Sequence, residues 1–209
     1  MDFYHNLVTE KSWQLLLDLR KRYRFILIGG WAVFLYTQAL KSKDIDLVAE
    51  YEELEKLREE FGVFKNDRLQ KYEARSGEME IDIYVPFYSN PGIPAEDLKN
   101  FTVTLSGFRL PEKEILAILK QKALAERGES VKGRKDLVDL VSLFSLPDFS
   151  WEKYGSFVKQ YGVKEYLDFT LEILQATFKI EEINLNVHQF SRFKRKILPL
   201  LNEIRTSRR

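Results

Sequence analysis

Cysteine is absent from this chain of 209 residues, and histidine and methionine occur only twice each. Without cysteine the chain has no disulfide, no thiolate metal site and no cysteine nucleophile. A zinc site or a Ser-His-Asp triad would have to use His5 or His188, because these are the two histidines of the chain. Zinc enzymes and triad hydrolases therefore have little support in the composition.

Net charge is also nearly absent, since 33 Lys and Arg residues face 32 Asp and Glu residues, a formal charge of +1. No field of the whole molecule would steer it onto nucleic acid or anionic lipid, so any polyanion site must be local. The chain lacks an apolar run of the roughly 18 residues that a membrane span needs, and its N-terminus lacks the pattern of a signal peptide. We therefore expect a cytoplasmic protein with no membrane partner.

The first half of the chain alternates between helical and strand periods. Apolar spacing predicts helices over 9–23, 31–40 and 51–61, and strands over 25–28, 44–48, 63–65, 69–75, 79–85 and 101–105. Ser76-Gly77 is expected to join two of these strands in a hairpin. This pattern predicts an α/β domain over residues 1–110.

Helical spacing alone continues beyond that point. Pro111 is predicted at the first position of a helix that ends at Arg127, with Glu112 and Glu114 in its first turn. Further helices are predicted over 134–144, 150–161, 164–178 and 188–204. The expected fold class is therefore α+β, a mixed sheet with flanking helices followed by an all-α C-terminal domain over 111–209.

Three features of the first half point to chemistry. Gly29-Gly30 follows a buried strand, Asp44 and Asp46 open the next strand, and Asp82 lies in the middle of a later one. The period of two places Asp44 and Asp46 on one face, and an adjacent strand would bring Asp82 beside them. Clustered carboxylates repel one another unless a cation neutralises them, and an all-oxygen set favours Mg²⁺ or Mn²⁺.

Such a cluster suits phosphoryl or nucleotidyl transfer. Two ions held by shared carboxylates activate an attacking hydroxyl and stabilise the leaving oxygen. Gly29-Gly30 at a helix N-terminus offers backbone N–H groups to a phosphate. Taken singly, the glycines are ordinary turn residues and the aspartates an ordinary exposed strand face; their conjunction in this order is the more specific signal.

The same residues resemble a known family. Ile28-Gly29-Gly30, then Asp44-Ile45-Asp46, then Ile81-Asp82-Ile83 are similar to the signature of the nucleotidyltransferase superfamily with the DNA polymerase β-like fold. Within it the likeness is closest to the minimal and abortive-infection-type nucleotidyltransferases, whose Arg and Thr before the Asp-X-Asp pair are replaced here by Lys41 and Ser42.

That subfamily also carries a helical motif of basic residues followed by two aspartates. Lys120, Arg127, Lys135, Asp136 and Asp139 fit its spacing. The alternative interpretation of these residues is the solvated face of charged helices. Lys71 and Arg75 match only loosely a basic strand seen in some relatives.

The resemblance implies a reaction and its residues. It would be Mg²⁺- or Mn²⁺-dependent transfer of a nucleoside monophosphate from an NTP such as ATP to an acceptor hydroxyl on RNA, protein or a small molecule. The resemblance implies metal ligation and catalysis by Asp44, Asp46 and Asp82, and nucleotide binding by Gly29, Gly30, Ser42, Lys120 and Asp136. It also allows a toxin–antitoxin-like role beside a partner protein, or a homo-oligomer. The alternative is a non-catalytic module of this fold that binds nucleotide, nucleic acid or a partner protein.

The C-terminal segment 188–209 has seven basic residues and one acid, Glu203, a net charge of +6. Its apolar residues recur at helical spacing, which favours an amphipathic helix packed on its own domain with a basic outer face. The functional alternative is a patch that follows the phosphates of RNA. No aromatic side chains interleave the basic ones as a base-stacking surface would need.

Overall fold

The computed structural model describes residues 2–207, and their side chains from residue 7 onward. The His5 side chain and the basic residues Arg208 and Arg209 lie outside the described part. The chain divides into two compact units, 1–112 and 113–209.

The first unit combines three helices with two sheets. Its helices are α1 (Asp2–Arg22), α2 (Gly29–Thr37) and α3 (Tyr51–Glu60), and its strands are β1 (Ile26–Ile28), β2 (Ile45–Val48), β3 (Phe64–Asn66), β4 (Lys71–Ser76), β5 (Met79–Tyr84), β6 (Thr102–Leu105) and β7 (Phe108–Pro111). A 3-10 helix spans Ala95–Asn100. The mixed sheet predicted from the sequence is thereby confirmed, with α1 beginning earlier than the apolar pattern predicts.

Five strands form the main sheet in the order β1-β2-β5-β4-β3. β2 and β5 pair in parallel, and the other neighbouring pairs are antiparallel. Alternation sends Ile45, Leu47, Ile81 and Ile83 into the core, where none is exposed to solvent. The polar residues between them therefore share the opposite face, as the period of two requires.

The short strand β7 corrects the prediction for Pro111. Pro111 ends β7 rather than beginning a helix, and it pairs with Thr102 of β6. Proline is tolerated at the end of a strand, where its missing N–H costs no ladder hydrogen bond. The following helix begins at Lys113.

The second unit is helical, as predicted. It contains α4 (Lys113–Arg127), α5 (Val131–Phe144), α6 (Trp151–Tyr161), α7 (Lys164–Ala176) and α8 (Val187–Thr206), with a 3-10 turn at Glu181–Ile183 and one isolated β-bridge between Ile180 and Leu185. Ser130, Ser150 and Asn186 cap α5, α6 and α8 through side-chain oxygens that accept backbone N–H groups.

Helix α8 packs by an apolar face that includes Phe190, Ile197 and Leu201, all buried. Lys194 donates hydrogen bonds to the carbonyls of Gln175 and Thr177 at the end of α7 (3.1 and 2.8 Å). A cation near helix-terminal carbonyls stabilises them. The amphipathic packing is thus observed, and RNA binding by the outer face stays a prediction. Among residues 2–207, no helix is long and apolar enough to cross a membrane.

Candidate active site

A row of three carboxylates crosses the polar face of the main sheet. Asp46 of β2 is the register partner of Asp82 of β5, and Asp82 is in turn the partner of Glu73 of β4. Side chains of directly opposed residues lie on the same face, about 5 Å apart at Cβ. Asp46 and Asp82 are half-buried. The parallel pairing of β2 with β5 therefore places two of the predicted site residues side by side.

The Asp46 carboxylate lies against the N-terminus of helix α2. A Cβ atom built on Gly29, the first residue of that helix, would lie 1.9 Å from Asp46 Oδ2. Gly29 also has a φ of +67°, in the left-handed region that glycine adopts without strain. Both the space and the backbone conformation therefore require glycine here. Gly30 follows in the helix and is buried.

Asp44 and Ser42 lie in the segment that leads into β2. Asp44 immediately precedes the strand and is half-buried, whereas Ser42 is only 3% exposed. Asp44 lies in the bend before β2, outside the strand, so the strand period does not fix its direction relative to Asp46.

The Asp82 carboxylate holds a resident cation. Lys71 Nζ of β4 lies 2.5 Å from Asp82 Oδ2 and 3.2 Å from Glu73 Oε1. The side chains of Lys71 and Asp82 are 12% and 14% exposed, so this ion pair is largely shielded from solvent. Glu73 also accepts a hydrogen bond from the Asn66 amide (2.9 Å). Lys71 thus bridges two carboxylates of the row.

The electrostatics of Asp82 reflect this crowding. The pKa of Asp82 is raised to about 6. Burial is the largest cause and the negative charge of Asp46 adds to it, while the Lys71 ammonium lowers the pKa by less than these two raise it. Burial lowers the pKa of Lys71, but Asp82 and Glu73 more than offset this, so its pKa is raised overall. Asp82 therefore lies beside a like charge, Asp46, and Lys71 neutralises the two carboxylates only in part.

Asp44 and Asp46 fit a divalent cation in the chemistry of their donors. Both are half-buried carboxylates, and carboxylate oxygens are the ligands that Mg²⁺ prefers. In the described part of the chain, no group of three or more carboxylates or histidines is arranged to hold a metal ion by itself. Magnesium in nucleotide enzymes is commonly held by one or two carboxylates together with substrate phosphates. The residues present therefore fit an ion that arrives with a nucleotide.

A second charged cluster lies inside the helical unit. Lys120 Nζ of α4 lies 2.9 Å from Asp136 Oδ1 and 2.7 Å from Asp139 Oδ2, both on α5. Arg127 Nη1 lies 2.7 Å from Asp136 Oδ2. Lys120, Asp136 and Asp139 are 6%, 1% and 0% exposed. These residues are therefore not a solvated helix face.

Two of the buried charges of this cluster, Lys120 and Asp136, hold each other in the ionised form, whereas burial raises the pKa of Asp139 by more than Lys120 lowers it. Burial lowers the pKa of Lys120, but the charges of Asp139 and Asp136 raise it by more, so that its pKa is raised overall. Burial likewise raises the pKa of Asp136, and Lys120 and Arg127 lower it by more. Asp136 does contact and orient Lys120; whether either binds nucleotide stays a prediction.

Solved structures resemble this chain in fold, whereas comparisons of its sequence find no relative. No family model matches the chain, and no curated protein matches its sequence. A crystal structure from H. pylori that is assigned as a nucleotidyltransferase matches with a TM-score of 0.51 and 15% identity, over 95% of this chain and 94% of its own. The Helicobacter pylori protein JHP933 matches with a TM-score of 0.51 and 16% identity, over 96% and 92%.

This chain has the nucleotidyltransferase fold. The superfamily resemblance of its sequence is thereby confirmed at the level of fold, while the abortive-infection subtype stays a prediction. Within the first unit of this nucleotidyltransferase fold, β2 and β5 bring Asp46 beside Asp82, and α2 brings Gly29 against Asp46.

Sequence reasoning missed Glu73 and underrated Lys71. The signal was present in the hairpin, because Ser76 pairs with Met79 across Gly77-Glu78. Counting back from that turn places Glu73 opposite Asp82 and Lys71 one diagonal step away, within reach of a long side chain. The hairpin is confirmed, but its turn is Gly77-Glu78 rather than the predicted Ser76-Gly77, so a register counted from the predicted turn would be shifted.

We expect Gly29→Ala to destabilise the first unit more than Gly77→Ala. Both glycines have positive φ (+67° and +61°), which costs a non-glycine residue about 1–3 kcal/mol. The added methyl group would overlap the Asp46 carboxylate at position 29, whereas nothing lies within 4 Å of it at position 77. Urea denaturation of the two variants measures the difference, and equal losses would contradict the close approach of Asp46.

Proposed function

We propose that this protein is a metal-dependent nucleotidyltransferase that moves a nucleoside monophosphate from an NTP, such as ATP, to a hydroxyl of an acceptor. The observation that carries the proposal is the pairing of Asp46 with Asp82 beside the glycine-opened N-terminus of α2. The nucleotidyltransferase fold supports it. Each part alone has a structural explanation, but together they place carboxylates next to a phosphate-binding backbone.

The carboxylates would hold the metal. Asp44 and Asp46 are the residues that would bind Mg²⁺ or Mn²⁺ together with the nucleotide, and the family pattern adds Asp82 to them. When bound, the metal supplies neutralisation of the triphosphate charge and a lowered pKa for the acceptor hydroxyl.

The residues around Gly29 would position the triphosphate. The first N–H groups of α2 have no partner within the helix and carry partial positive charge, so they suit phosphate oxygens. Gly29 brings no side chain of its own to this helix N-terminus, where the Asp46 carboxylate lies against it. Gly30 and Ser42 are the adjacent binding residues of the proposal. Lys120 and Asp136 of the helical unit are the further nucleotide-binding residues of the proposal.

The reaction is a substitution at the α-phosphorus. The acceptor oxygen forms a bond to this phosphorus, the bond from the α-phosphorus to the oxygen that bridges it to the β-phosphorus breaks, and pyrophosphate leaves. The hydroxyl proton is released to solvent. The residues of this chain contribute by orienting the triphosphate so that the acceptor and the leaving oxygen lie in line.

An RNA acceptor is supported by the basic outer face of α8. Arg192, Arg195 and Lys196 are exposed there, in a helix whose apolar face is buried. Such a face would bind phosphates without reading sequence. A protein or small-molecule acceptor, and a toxin-like role beside a partner protein, are the other forms of this proposal.

Label transfer tests the proposal. Purified protein is incubated with each α-labelled NTP, Mg²⁺ or Mn²⁺, and pooled cellular RNA and protein, in parallel with an Asp44→Ala/Asp46→Ala variant. We expect label to move to a discrete acceptor with the wild type alone. The result names the nucleotide and the acceptor class together.

A wild-type protein that neither transfers label nor binds Mg²⁺–NTP would overturn the proposal. It would favour the non-catalytic module, in which the fold binds nucleic acid or a partner protein. RNA binding that falls steeply with salt, is lost on replacing Arg192, Arg195 and Lys196 with glutamine and is unchanged by Asp46→Ala would identify such a module.

A further inference from the structure

Lys71 and Asp82 form an ion pair that the proposed reaction does not use. Lys71 lies on the same sheet face as Asp82, one diagonal step across the β4–β5 hairpin, and its ammonium lies 2.5 Å from Asp82 Oδ2. Both side chains are largely shielded from solvent, and Glu73 holds the same ammonium from the other side at 3.2 Å. This is a fixed contact between two strands rather than a mobile surface pair.

The position of the ammonium matters because Mg²⁺ binds carboxylate oxygens at about 2.0–2.1 Å and keeps near-ideal octahedral geometry. An ammonium 2.5 Å from Asp82 Oδ2 occupies the space that an ion bound to this oxygen would need. Releasing it would leave a lysine charge in a poorly solvated place beside Glu73. Lys71 therefore already supplies a positive charge at this oxygen of Asp82.

We propose that Lys71 is a built-in cation of the site, which takes the place of a second divalent ion at Asp82 so that the protein binds one ion, at Asp44 and Asp46. This inference rests on the proposed function. It departs from the two-ion arrangement that the resemblance implies, because there all three aspartates ligate metal. Lys71 would act as a positioning residue that holds Asp82 and supplies one positive charge without a cofactor.

The test is a count of bound Mn²⁺ by electron paramagnetic resonance, with Mn²⁺ and a non-hydrolysable ATP analogue as the probe, because the site is proposed to hold its ion together with a nucleotide. A blank of Mn²⁺ and analogue without protein is subtracted. We expect one ion per chain for the wild type and two for Lys71→Met, because removal of the ammonium frees the Asp82 carboxylate. Arg75→Met is the matched control, since Arg75 lies on the same hairpin, is exposed and pairs only loosely with Glu80 (3.7 Å). It should leave the count at one.

Asp82→Asn gives a second readout that does not depend on how well the Lys71 variant folds. If Lys71 takes the place of an ion at Asp82, this variant still binds one ion with unchanged affinity. If Asp82 is a metal ligand, the count falls below that of the wild type or the affinity for Mn²⁺ falls at least tenfold. Two ions in the wild type, or an unchanged count in a folded Lys71→Met protein, would overturn the inference.

These outcomes are separable from the label-transfer result. Absence of label transfer with a count that rises from one to two would reject the enzyme and keep the role of Lys71. Label transfer by a wild type that binds two ions would do the reverse.

Discussion

Replacing Asp46 with asparagine should reduce nucleotide transfer at least about a thousand-fold. Asp46 is the carboxylate that lies both beside Asp82 and against the N-terminus of α2. A metal ion contributes several kcal/mol of transition-state stabilisation, and about 4 kcal/mol corresponds to a factor of a thousand in rate. Asparagine keeps the size of the side chain and removes the charge that would bind the ion.

The fold should survive this substitution. Neutralising Asp46 removes one of two adjacent like charges, so the pKa of Asp82 should fall from about 6 toward its ordinary value. We therefore expect an unfolding free energy equal to or above that of the wild type, measured by urea denaturation. Loss of activity would then report chemistry rather than misfolding.

Glu80→Gln is the control for Asp46→Asn. Glu80 lies on β5 two residues from Asp82 and shares its face, but it is exposed and pairs with Arg75 at the hairpin end. Its loss should change transfer less than about twofold, in keeping with the small effects of surface charges. An Asp46→Asn protein that keeps more than a tenth of wild-type transfer would remove Asp46 from the proposed site.

Lys120→Met should lower the free energy of unfolding of the helical unit by about 3–5 kcal/mol. The substitution leaves Asp136 and Asp139 buried without the ammonium that contacts both. Removing one partner of a buried ion pair costs this much because the remaining charge is uncompensated. Arg127 still pairs with Asp136, so Asp139 bears most of the effect.

Two further variants serve as a rescue and a control for Lys120→Met. Lys120→Met/Asp139→Asn should recover most of the lost stability, since it removes the stranded charge along with its cation. Lys122→Met, on the same helix and in an i,i+4 pair with the exposed Glu126 (3.3 Å), should cost less than about 1 kcal/mol. Urea denaturation followed by far-UV circular dichroism measures all three, and similar small losses for Lys120 and Lys122 would contradict a structural role for the cluster.

The sequence predicted the main sheet and its carboxylates because both depend on local patterns. Period-two alternation is clear in Ile45-Asp46-Leu47 and along β5, where Ile81 and Ile83 are buried on either side of Asp82. The glycine pair marked the start of α2 for an equally local reason. Strand β7 was missed because its four residues are too few to establish a period and its final proline suggested a helix start.

Tertiary packing decides what the sequence left open. Lys120, Asp136 and Asp139 look like ordinary charged helix residues, and their burial follows only from the packing of α4 on α5. Lys71 likewise has no special local context. Its role depends on the register between β4 and β5, because a shift of one residue at the turn would move the Lys71 side chain to the opposite face of the sheet from Asp82.

The parallel pairing of β2 with β5 also has a consequence for the order of folding. β4 and β5 are joined by a two-residue turn, so Lys71, Glu73 and Asp82 meet through local contacts that close quickly. Asp46 and Asp82 are 36 residues apart in the chain and meet only when the finished hairpin docks on β2. We therefore expect Lys71 to be in place before the two aspartates approach each other, so that its positive charge opposes the repulsion between them in this last docking step.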